Sequence, residues 1–263
     1  MNARRSASSV PSVIVTGAAS GIGRGVAKAL AASGTTLGLI DINGAALSSL
    51  VSECIELGAD AYACVADVSD ALAVEEAVQT YVQQAGYLTG VVCCAGIALT
   101  GDVLSLSMDT WQQTLDINLT GVFITAKYTV EHLIKYPGSA FIAISSDSGI
   151  KGSQGYSAYC ASKHGVIGLV RCMALDYGQH GLRSNVICPG FVDTPMAARL
   201  FNGDDATRKS YEDRVPLGRF AHVDDIANAV CHLLSPQASY ANGMVYVLDG
   251  GTSVGTYGVL TRA

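Results

Sequence analysis

Residues 16–23 read Thr16-Gly17-Ala18-Ala19-Ser20-Gly21-Ile22-Gly23, directly after the apolar run Ser12–Thr16. A glycine-rich turn between a strand and a helix lets backbone approach a pyrophosphate, and the helix N-terminus meets that charge with N–H groups and its dipole. The next apolar run ends on an acidic residue, Asp41, 18 positions after Gly23. A carboxylate there can accept hydrogen bonds from the adenosine ribose hydroxyls and repels a 2′-phosphate. Ser20 and Ile42 supply no cation to offset that repulsion, and Arg24 lies inside the helix. The pattern predicts a dinucleotide site built from Gly17, Ser20, Gly21, Ile22, Gly23, Asp41 and Ile42, with NAD preferred over NADP.

Outward from this motif, short apolar runs alternate with longer amphipathic segments. Strands are expected at Ser12–Thr16, Thr36–Asp41, Ala59–Val65, Gly90–Cys94, Ser139–Ser145, Leu182–Cys188 and Met244–Leu248. Helical patterns lie near 21–33, 44–57, 71–85, 109–136, 156–178 and 223–235. Near-continuous apolar strands separated by helices imply a parallel sheet buried on both faces. The expectation is an α/β, doubly wound Rossmann fold, a single domain over 12–251 with a seven-stranded parallel sheet. A flexible N-terminal tail (1–11) and a C-terminal tail (252–263) flank it. A polar, charged stretch at about 194–222 follows a strand end, where open α/β sheets bind ligands, and is expected to act as a substrate lid.

Composition narrows the class. The 263 residues are 49% hydrophobic and 14% charged, which excludes a disordered chain. No run of ~18 apolar residues is free of Gly, Ser, Thr or charge, so no membrane span is expected. The N-terminal stretch lacks the apolar segment of a secretory signal. Net charge of −6 with no long basic run argues against nucleic acid. The eight cysteines form no C-x-x-C pair, which speaks for a reducing, cytoplasmic setting and against disulfides or zinc. The five scattered histidines add no metal motif.

Over roughly residues 11–251 the chain resembles the short-chain dehydrogenase/reductase family. The resemblance rests on T-G-x-x-x-G-x-G at Thr16–Gly23, Asp67-Val68, Asn118, Ser146, Tyr159 with Lys163 as Y-x-x-x-K, the Pro189–Thr194 segment and Asp249-Gly250-Gly251. It implies that Asp67 and Val68 meet the adenine. It also implies that Pro189, Gly190, Val192 and Thr194 lie beside the nicotinamide, and that Ala95 and Gly96 admit the cofactor. Ser146, Tyr159, Lys163 and Asn118 are its implied catalytic set. Lys163 would bond the nicotinamide ribose, and Asn118 would hold a water relaying protons from Lys163.

The residues support that chemistry independently. Tyr159 and Lys163 are i, i+4 on an expected helix and share a face. A phenol ionises near ~10, but a neighbouring ammonium and the oxidised cofactor's charge should lower that value. Tyr159 then becomes a general acid/base for the proton that accompanies hydride transfer. Ser146, 13 residues earlier and just past a strand end, would orient the substrate oxygen; Ser145 and Ser148 compete for that role. Where the family has N-N-A-G this chain has Cys93-Cys94-Ala95-Gly96, which fills the space without amide hydrogen bonds. Buried inert thiols are expected there rather than a redox pair. Tyr156, seven before Lys163, fits the enoyl reductase spacing, a reading the glycine motif and Ser146 disfavour. Gly251–Gly255 formally matches G-x-S-x-G, but no Asp, Glu or His follows it.

The resemblance implies a small-molecule substrate, walled by Ile97, Leu99, Ser148, Ile150, Gln154, Tyr156, Met196 and Leu200 from the loops that set selectivity in that family. Gln154 is the expected polar contact to a second substrate oxygen. The lid cations Arg199, Arg208, Lys209 and Arg214 are interleaved with acids, which suggests a solvated face. A neutral secondary alcohol or ketone is expected, including cyclic alcohols, diols and sugar alcohols. The alternatives are 3-oxoacyl-thioester reduction, against which Asp41 argues, and a non-enzymatic NAD-binding regulator. The resemblance further implies a homotetramer, with helices 109–136 and 156–178 at one interface.

Overall fold

The computed structural model describes residues 10–201 and 203–257; the outer parts of both expected tails, 1–9 and 258–263, lie outside the described residues. Seven strands form one parallel sheet: β1 (Ser12–Thr16), β2 (Thr36–Asp41), β3 (Ala61–Val65), β4 (Gly90–Cys93), β5 (Ala140–Ile144), β6 (Arg183–Pro189) and β7 (Val245–Leu248). Their spatial order is β3-β2-β1-β4-β5-β6-β7. The order reverses between β1 and β4, and ligands of open α/β sheets bind at that switch, beyond the strands' C-terminal ends.

The sheet is covered on both faces, as its apolar strands require. One face packs under α3 (Ala71–Ala85), α5 (Gly121–Leu133) and α6 (Ser157–Tyr177), burying Val74, Tyr81, Leu133, Phe141 and Val166. The other packs under α1 (Gly21–Ala32), α2 (Gly44–Glu56) and α9 (Val223–Leu234), burying Val13, Val26, Leu39, Leu50 and Ile226. β1 is buried at all five positions because it is central.

Two local departures from the sequence pattern bear on function. The expected single helix 109–136 is α4 (Met108–Leu115) and α5 joined by a π-helical turn, Asp116–Thr120. Such turns insert a residue into the helical ladder and re-aim side chains, here Asn118. The polar stretch after β6 contains two short helices, α7 (Pro195–Phe201) and α8 (Asp205–Glu212). It holds a small core of its own, Ala197, Phe201, Val215 and Phe220, against which Phe191 stacks. Its charges pair on the surface, Arg208 with Asp193 and Glu212, and Lys209 with Asp213. No helix among the described residues is long and apolar enough to cross a membrane.

Candidate active site

The glycine turn closes tightly onto β4. Gly17 has φ +63°, and a Cβ there would lie 2.6 Å from the Ala95 backbone. A Cβ on Gly23 would meet the Gly17 carbonyl oxygen at 2.1 Å. Asn43, Asp70, Ser107 and Asp204 cap α2, α3, α4 and α8 with their side chains, whereas Ser20 makes no capping bond at α1. The first N–H groups of α1 are therefore left without a side-chain cap, as an anion site requires. A cavity of about 490 Å³ runs from this turn past Asp41, Ile42, Asp67 and Val68 to Ala95, Gly96 and Thr194. These residues and dimensions fit a dinucleotide.

Asp41 is oriented before any ligand arrives. Its Oδ2 accepts the Ala19 N–H at 2.9 Å and its Oδ1 the Asn43 N–H at 2.9 Å. Arg24, in the first turn of α1, is paired with Glu53, whose other oxygen takes Lys28 at 3.2 Å; Arg199 also lines the cavity, beside Met196 and Leu200. Asp67 Oδ1 accepts both the N–H and the hydroxyl of Ser69, at 2.9 and 2.7 Å.

A second cavity, about 410 Å³, adjoins the first and shares Ile22, Ala98, Thr194, Met196 and Leu200 with it. Ser146, Tyr159, Pro189, Gly190 and Val192 line it, as do Ser148, Gln154, Tyr156, Met196 and Leu200 of the expected substrate wall. Ser146 stands at the start of a tight turn after β5 and accepts the Ser148 N–H at 3.1 Å. The two competing serines are engaged elsewhere: Ser145 donates to the Lys163 carbonyl and Ser148 bonds Ser153.

Lys163 and Asn118 are buried and line neither cavity. Lys163 Nζ donates to the Ile144 carbonyl at 2.9 Å and lies 5.6 Å from the Tyr159 ring centroid. Asn118 exchanges two hydrogen bonds with the Ile97 backbone and donates to Ser162. Its amide ties the π turn to the loop after β4.

Several expectations are corrected here. Without the oxidised cofactor's charge, the Tyr159 phenol lies above its ordinary range. Burial pushes it up to about 12, the Ser146 hydroxyl opposes that, and Asp147, Cys160 and Tyr156 reinforce it. Burial likewise brings Lys163 down to about 8. Ile97 and Leu99 line the dinucleotide cavity rather than the substrate cavity, because the chain after β4 runs along the cofactor side. Ile150 is 40% exposed and lines neither. Sequence reading missed Asp147, Lys151 and Tyr211 on the substrate wall. Arg214, read as part of a solvated face, also lines that wall, resting on the Tyr211 ring. Cys93 is buried and its thiol pushed up to about 12; burial pushes Cys94 up as well. Ser253 of the G-x-S-x-G match sits in a turn closed by Asp249, which accepts its N–H at 2.7 Å.

The family model described as enoyl-(acyl carrier protein) reductase matches residues 17–253. The chain belongs to the short-chain dehydrogenase/reductase family. Its relatives in that family include the 3-oxoacyl-[acyl-carrier-protein] reductase of Thermotoga maritima, 34% identical over 90% of this chain and 96% of that protein. The cyclohexanol dehydrogenase of an Acinetobacter species is 35% identical over 90% and 92%. The crystal structure of levodione reductase superposes with a TM-score of 0.89 at 32% identity, covering 93% of this chain and 98% of that one. As a member of this short-chain family the protein is an oxidoreductase of the kind that acts on CH–OH groups.

Proposed function

We propose that this protein is an NAD(H)-dependent dehydrogenase that interconverts a neutral secondary alcohol and its ketone. The observation that carries the reading is the shared wall: Tyr159 and Ser146 line a cavity that opens, past Ile22 and Thr194, into the dinucleotide cavity. A bound nicotinamide cofactor would supply the hydride acceptor at that junction. Ser146 would orient the substrate oxygen, and Tyr159 would take its proton during oxidation or return it during reduction. Lys163 would hold the nicotinamide ribose, and a positive charge beside Tyr159 would bring its phenol down toward working pH.

NAD is favoured because Asp41 is fixed at the ribose end and Arg24 is committed to Glu53. The wall is mixed, with Ser148 and Gln154 facing Phe191, Met196 and Leu200, which suits a cyclic alcohol, diol or sugar alcohol. A homotetramer in the cytoplasm completes the reading. The thioester-reductase alternative draws on the Thermotoga relative, but its biosynthetic direction calls for NADPH, which Asp41 opposes. The test is absorbance at 340 nm with NAD and NADP over a panel of secondary alcohols, and with NADH and NADPH over the matching ketones and a 3-oxoacyl thioester. Binding of NAD without turnover of any substrate would support a regulator instead.

A further inference from the structure

The turn after β5 places a carboxylate directly against the serine. Ser146 Oγ donates to Asp147 Oδ1 at 3.0 Å, and Lys151 Nζ closes on Asp147 Oδ2 at 2.9 Å. The Asp147 side chain is only 14% exposed, and both residues line the same cavity as Tyr159. A hydroxyl has one proton and two lone pairs. The Ser146 proton goes to Asp147 and one lone pair takes the Ser148 N–H, which leaves one lone pair on the cavity side, where the Tyr159 phenol also reaches the hydroxyl. That arrangement suits an incoming alcohol O–H.

We propose that Asp147 is a positioning residue for the reaction, fixing the Ser146 hydroxyl and, with Lys151 as counter-ion, setting the charge beside Tyr159. It rests on the dehydrogenase reading above. Other charged or titratable groups face the phenol. Lys163 and Cys160 come from its own helix and Tyr156 from the turn before it, while Tyr211 and Arg214 line the cavity from α8 and beyond. Lys151 also lowers Asp249, just beyond β7. Within this set Asp147 disfavours the phenolate, and Lys151, paired with it at 2.9 Å, carries the opposite charge.

The two variants should therefore move Tyr159 in opposite directions. Oxidation needs the phenolate, so its rate rises with pH through the Tyr159 transition. Asp147→Asn keeps the side chain's shape and should shift that rise down by about one pH unit. Lys151→Gln should shift it up, and Lys151→Arg should leave it in place. NADH binding, read by fluorescence, should be unchanged in all three. Midpoints that stay put, or that move in the same direction, overturn the role of Asp147. If the wild type turns over no alcohol, the dehydrogenase reading falls. The ¹³Cζ-tyrosine NMR titration of the unliganded protein, with Tyr159 assigned by Tyr159→Phe, still reads the Asp147 effect. A lower Tyr159 midpoint in Asp147→Asn supports the proposal and an unmoved one refutes it.

Discussion

Lys163 Nζ donates to the Ile144 carbonyl at 2.9 Å and lies 5.6 Å from the Tyr159 ring centroid. The lysine is thereby anchored to the end of β5. Burial brings it down to about 8, so its ammonium is full below that pH and lost above it. If Lys163 holds the nicotinamide ribose, NADH affinity should weaken as pH rises through 8 in the wild type and show no such step in Lys163→Met. Fluorescence titration from pH 6.5 to 9.5 checks this. The same variant should lose roughly 100-fold or more in turnover.

Under the proposed NAD dependence, Asp41 would govern cofactor choice. Both its oxygens are held by backbone N–H groups, so the carboxylate cannot swing away from a 2′-phosphate. Wild-type kcat/KM should favour NAD by roughly 100-fold or more, a loss of about 3 kcal/mol for NADP. Asp41→Ala should lower the NAD value and narrow the ratio at least tenfold. Equal values for the two cofactors in the wild type would refute this assignment.

The thiols should be distinguishable by alkylation. Cys172 is exposed, whereas burial pushes Cys93 up to about 12 and raises Cys94. Iodoacetamide at pH 8 should leave Cys93 and Cys94 unlabelled with activity retained, because the thiolate is the reactive form. Cys172, three residues before Leu175 on α6, should react in dissociated chains before the assembled protein. Mass spectrometry of peptides resolves the order. Early labelling of Cys94 with loss of activity would point to the redox-responsive pair instead.

How much of this was legible in the chain depends on the kind of information each feature needs. The sheet was legible because its central strands β1, β4, β5 and β6 are buried throughout and centre on apolar runs, while the flanking β3 and β7 are only partly buried. The glycine turn was legible because Gly17 and Gly23 leave no room for a side chain. The π turn at Asn118 was not, since one inserted residue barely alters a 3.6-residue pattern. Nor was the position of Asp147: its i, i+4 pairing with Lys151 was a signal, but such pairs normally mark a solvated surface. The Tyr159 shift depends on burial, which spacing does not reveal.

Assembly offers a further check. Phe123 on α5 and Leu175 on α6 are exposed, at 51% and 84%, on the two helices expected to form one interface. Light scattering at micromolar concentration should give about four times the 27.1 kDa chain mass. A mass of one chain would reject the tetramer. Phe123→Glu should lower the assembly state of an otherwise folded protein.

The central claim is that Tyr159 transfers the proton in an alcohol dehydrogenase, and one comparison tests it most directly. Absorbance at 340 nm should follow NAD reduction by wild-type protein with a secondary alcohol, alongside Tyr159→Phe under the same conditions. Phenylalanine keeps the ring against Tyr156 and removes only the hydroxyl. The variant should bind NADH like the wild type and turn over at least roughly 1,000-fold more slowly. Turnover close to wild type in Tyr159→Phe would contradict the account.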